Sequence, residues 1–131
     1  MNQQERIAAA RRRAVEQIDS AFTAVNDGKV DVAAGWYLGA LEEIGRAKMF
    51  KENLGDAIAD APSNSIIKVD GVGMQARDAR VQVALHFLRE RSVHSPLQTP
   101  DASAYDAMKL SVSATELKQA IVGIKSLSAF L

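Results

Sequence analysis

Residues 31–51 read DVAAGWYLGALEEIGRAKMFK, and this stretch decides the fold. Ala34, Tyr37, Leu38, Leu41, Ile44 and Met49 keep the spacing of one helical face, so a helix is predicted here. It starts near Asp31, whose carboxylate can cap it, and runs at least to Lys51 or Asn53. Gly35, Gly39 and Gly45 each cost such a helix about 1 kcal/mol relative to alanine. Close approach of another helix is the simplest reason for them, and backbone contact with a ligand the rarer one. Glu42 and Glu43 sit mid-helix, and neighbouring helical side chains diverge by about 100°. One of the two therefore turns towards another helix and needs a cation there, for which Arg77 or Arg80 can serve. Glu42 can also pair with Arg46 one turn on.

The pattern continues on both sides. From Gln3 to Val25, Ile7, Ile18, Phe22 and Val25 fall near one face, and Asn26-Asp27-Gly28 stops that helix. Leu54, Ala57, Ile58 and Ala61 carry the second helix on after a kink at Gly55, until Pro62 ends it. Pro62 to Gly73 departs from helix: Asp70-Gly71 between Ile66-Ile67-Lys68-Val69 and Val72 is a hairpin signal. A third helix is predicted over Met74 to Val93, and Ser95-Pro96 ends it. Thr99-Pro100-Asp101 opens the next, with threonine at the cap. Leu110, Ala114, Leu117, Ile121, Ile124 and Leu131 then share a line, and Ser113-Ala114-Thr115-Glu116 has the form of a capping box that splits the segment in two. The expected fold is all-α: a single domain over residues 1–131, an antiparallel four- to five-helix bundle with one irregular loop or small hairpin near residues 62–73.

Composition narrows the function classes. The chain has 131 residues, 47% of them hydrophobic, as an ordinary globular domain does. Sixteen basic residues balance sixteen acidic ones, which gives no whole-molecule pull towards nucleic acids or anionic membranes. With no cysteine, disulfides and thiolate chemistry are excluded. No run approaches the roughly 18 apolar residues of a membrane span, and no signal-peptide core follows the basic stretch from Arg6 to Arg13. A cytoplasmic protein with no membrane partner is expected.

Few residues carry recognisable chemistry. No Glu-x-x-His pair is present, which argues against a di-iron bundle site. His86, Glu90 and His94 are four apart and would share one stripe of the third helix, but metal sites usually draw ligands from several elements. Neither a metal nor a cofactor is expected. Arg11-Arg12-Arg13 with Arg6 forms a local basic patch, more in keeping with a solvated face than a phosphate site. Trp36, Tyr37 and Tyr105 are not interleaved with basic residues as stacking platforms would be.

Ala40-Leu41-Glu42-Glu43-Ile44-Gly45-Arg46-Ala47 resembles the second-helix core of HEPN-superfamily domains, especially the abortive-infection, AbiV-like branch. Arginine stands where that branch has lysine, and the similarity spans about residues 7–54. HEPN domains are all-α bundles, often dimers, and many are metal-independent RNases with an Arg-x(4–6)-His motif across the dimer interface. The resemblance implies Arg89 with His94, then Arg80 with His86, as catalytic pairs, with Val81 and Glu90 where a small polar residue is favoured after the arginine. Where the AbiV-like branch has a His-x-x-Lys type element, this chain reads Arg77-Asp78-Ala79-Arg80. Glu42, Glu43, Arg46 and Arg77 would support a polar site. The expectation is a homodimer with an RNA-directed role, catalytic or inactive, engaging RNA or a cognate protein. A noncatalytic assembly or adaptor protein is the alternative.

Overall fold

The computed structural model describes residues 2–131 and is mostly helical. Its elements are α1 (Gln3–Asn26), α2 (Val30–Lys51), α3 (Asp56–Asp60), β1 (Ile66–Val69), β2 (Val72–Gln75), α4 (Ala76–Glu90), α5 (Ala102–Ser111) and α6 (Ala114–Leu127), closed by a 3₁₀ turn at Ser128–Phe130. α2 is the central helix. It packs most extensively on α1, next on α4, and also touches α3, α5 and α6. The main core follows from that position: Ile18 of α1, Tyr37, Leu41 and Ile44 of α2, Val81 and Leu88 of α4, and Leu117, Ile121 and Ile124 of α6 are all buried. A second, smaller cluster gathers Met49, Phe50, Ala59 and Ala79 beneath the hairpin. No helix among the described residues is long and apolar enough to cross a membrane.

Three helices end alike. After α1, Gly28 adopts φ +78°, and the Gly28 and Lys29 N–H groups bond back to Val25 and Ala24 carbonyls. After α2, Asn53 takes the left-handed conformation at φ 53°. After α4, Ser92 does so at φ 57°, with the same two backbone bonds. The sequence reading expected α2 to continue through a kink at Gly55. Instead the Asn53 turn and Gly55 at φ 112° break it, and α3 is a separate short helix. Asp31 lies in the first turn of α2 and Lys29 occupies the cap, without a side-chain bond. Met74 belongs to β2 and not to the following helix, because it pairs with Ile67 in the antiparallel hairpin. Asp70 and Gly71, both at positive φ, make that hairpin's two-residue turn.

The last third holds two further corrections. Asp101, not Thr99, caps α5, its side chain accepting from the Ala104 N–H at 2.8 Å. Leu110 is 89% exposed and Ala114 is exposed too, so the apolar line begins only at Leu117. Ser113 caps α6 through the Glu116 N–H at 3.1 Å, which makes the expected division into a short and a longer helix.

Candidate functional site

Glu42 and Glu43 both turn towards neighbouring helices. Glu42 meets Arg80 of α4, whose Nε and Nη2 donate to the same carboxylate oxygen at 3.1 and 2.5 Å. The rest of that guanidinium is engaged as well. Nη1 donates to the carbonyls of Ile58 at 3.1 Å and Ala61 at 2.8 Å, and Nη2 to Ser63 Oγ at 3.1 Å. Ser63 Oγ donates in turn to Glu42 at 2.6 Å. All five N–H groups of a guanidinium thus have acceptors, at a residue with 0% exposure. Glu43 takes the other cations: Arg13 Nε of α1 donates to it at 2.9 Å, and Arg46 Nη1 donates to its second oxygen. Arg46 Nε also holds the Ala59 carbonyl at 2.7 Å. The predicted Glu42–Arg46 pair is therefore replaced by Glu43–Arg46, since Glu42 is drawn to α4.

Glycine explains how α4 comes so near. A Cβ on Gly45 would lie 1.8 Å from the Arg80 carbonyl oxygen, so only glycine admits the helix at this crossing. On Gly39 it would meet the Gln17 side chain, whereas nothing stands within 4 Å at Gly35. Close helix approach accounts for Gly45 and not for Gly35.

Arg77, the other cation considered for the glutamates, faces elsewhere. It donates to Asp78 and Gln75 and lies 4.7 Å over the Tyr105 ring. Tyr105 donates to Asp78 at 2.5 Å, and burial, reinforced by Asp78, pushes its hydroxyl pKa up. Tyr37 donates to Ser95 Oγ at 2.9 Å, and burial pushes its pKa up to about 12.

The two arginine–histidine pairs fare differently. Arg80 is buried and committed, while His86 is exposed and pairs with Glu90 at 2.5 Å. The structure does not bring Arg80 and His86 into one site. Arg89 and His94 do share one: both line a cleft of about 310 Å³ with Ser92, Ser95 and Gln98 at the C-terminal end of α4. Both are exposed, and among the described residues neither makes an ion pair or a side-chain hydrogen bond. His94 lies beyond the end of α4, so the predicted stripe of His86, Glu90 and His94 is not formed. Among the described residues, no cluster of three metal-ligating side chains occurs.

No family model, no curated protein and no solved structure matches the chain.

Sequence reasoning missed Ser63, read as loop, and Arg13, read as part of a solvated patch. The signal for Arg13 was slight: three consecutive helical residues span about 200° and can all reach solvent, and Arg13 remains 42% exposed while its Nε reaches Glu43. Ser63 has no comparable signal, since its position depends on where the chain turns after α3.

Proposed function

We propose that the chain is a HEPN-like helical domain with an RNA-directed, defence or toxin-like role in the cytoplasm. α1, α2, α4 and α6 serve as its antiparallel bundle, and a homodimer as its working form. The supporting observation is the cleft in which Arg89 and His94 stand open and uncommitted. RNA cleavage without a metal needs a base for the 2′-hydroxyl and a cation for the charge that develops on phosphorus. Neutral histidine can accept the proton, and arginine can hold the phosphate oxygens. In this reading His94 is the base and Arg89 the cation. Arg80 is left out, because a buried guanidinium with every N–H engaged cannot reach a phosphate.

The test is cleavage of a structured RNA in the presence of a chelator, on protein whose solution mass has been measured. Wild type and His86→Ala should cut, and His94→Ala should not. Cleavage retained by His94→Ala sinks the mechanism.

A second reading, noncatalytic assembly, rests on a different face. Val32 and Trp36 are 46% and 43% exposed on either side of Gly35, where the space is open. A clean dimer that never cuts RNA would favour it.

A further inference from the structure

We infer that the cleft between the end of α2, α3, the hairpin and α4 binds a small amphiphile with an apolar body and one anionic head. The inference shares Arg89 with the RNA reading but concerns a different cleft and requires no catalysis. The cleft measures about 400 Å³, within the range of about 300–1,000 Å³ usual for small-molecule pockets. Leu54, Ile58, Val69 and Val83 supply apolar walls over the smaller hydrophobic cluster, and Leu54 is 49% exposed.

The backbone of two of those wall residues is fixed by hydrogen bonds. The Ile58 carbonyl is fixed by Arg80 Nη1 at 3.1 Å, and the Leu54 N–H by the Met49 carbonyl at 2.9 Å. Movement of α3 away from α4 would break the first of these bonds at a buried arginine, which is costly. The cleft is therefore preorganised, and a ligand that fills it loses little to ordering the protein.

Charge selects the ligand's head group. Three ionisable residues line the cleft: Glu52, His86 and Arg89. Glu52 is bridged by Lys48 Nζ at 2.8 Å, and His86 by Glu90 at 2.5 Å. Arg89 has no such partner among the described residues. A guanidinium without an ion-pair partner among the described residues, beside an apolar wall, is complemented by an anion joined to a hydrocarbon. A carboxylate suits it best, because the planar N–H fork matches two carboxylate oxygens.

Calorimetric titration of the full chain with octanoate, and separately with octanol, tests this. Octanoate should bind saturably and about tenfold more tightly than octanol. Arg89→Gln should lower octanoate to the affinity of octanol. Leu54→Asp should weaken both ligands, with thermal unfolding unchanged because Leu54 is half exposed. Absence of saturable octanoate binding, equal affinity for the two ligands, or unchanged binding by Leu54→Asp would each overturn the assignment. Because the readout is ligand binding, its failure is separate from failure of RNA cleavage.

Discussion

Arg80 and Arg89 stand on the same helix in opposite surroundings. Arg80 is enclosed, with a carboxylate, three carbonyls and a hydroxyl around its guanidinium, where Gly45 lets α4 press against α2. Arg89 lies in the last turn of α4, exposed and lining two clefts. Each is followed by a histidine at a distance that fits one permissive pattern, so spacing cannot separate them. What separates them is the neighbouring backbone. A guanidinium facing fixed acceptors becomes part of the scaffold, and one at a helix end stays available to a ligand.

The largest effect that would break this contrast lies at Arg80. Arg80→Met leaves Glu42 without its cation and should cost about 3–5 kcal/mol in urea unfolding, whereas Arg89→Met should change stability by less than about 0.5 kcal/mol. Equal effects at the two positions would mean that the enclosure contributes nothing. Next, Gly45→Ala should lose about 2–3 kcal/mol, because the new methyl meets a backbone carbonyl and cannot be accommodated by a rotamer change.

The third expectation is a pH window. Tyr37 is pushed up to about 12 by burial, against about 10 in an unfolded chain. The unfolded state therefore loses that proton first. The tyrosine's contribution is whole below about pH 10 and is lost as pH rises through about 12. Chemical denaturation at several pH values should show wild type losing stability more steeply across this window than Tyr37→Phe. The same variant should be about 1 kcal/mol weaker at neutral pH, through the lost bond to Ser95. The smallest effect is a gain: Gly35→Ala should raise stability by up to about 1 kcal/mol, since its site is open and helical. A loss there in a dimer, with a gain in the monomer, would identify Gly35 as an intermolecular contact.

These residues also mark what the sequence could reveal. The extent of α1, the body of α2 from Asp31 to Lys51, the Asp70-Gly71 hairpin and the Ser113 cap were legible because each depends on residues a few positions apart. Arg80 as a cation for an inward glutamate was legible too, since a buried carboxylate narrows its partners to few choices. The break after Lys51 was not. It depends on Asn53 adopting a left-handed backbone, which asparagine tolerates without requiring. Nor was the separation of Arg80 from His86, because burial of one and exposure of the other is set by which helices meet α4. Leu110 misled for the opposite reason: it keeps the apolar spacing, but α5 ends at Ser111 and α6 takes a new direction.

The order of residues along the chain adds a consequence for biosynthesis. Every acceptor held by the Arg80 guanidinium precedes it: Glu42, Ile58, Ala59, Ala61 and Ser63. On a translating ribosome these groups emerge and wait in water, and the scaffold around them can dry out only once Arg80 has followed. Glu43 has no such delay, because Arg13 is already made and Arg46 comes three residues later. The adjacent glutamates are thus recruited at different moments of synthesis. The α1–α2 pair can settle early as a hydrated hairpin of helices, and the arrival of residue 80 draws the rest of the chain onto it.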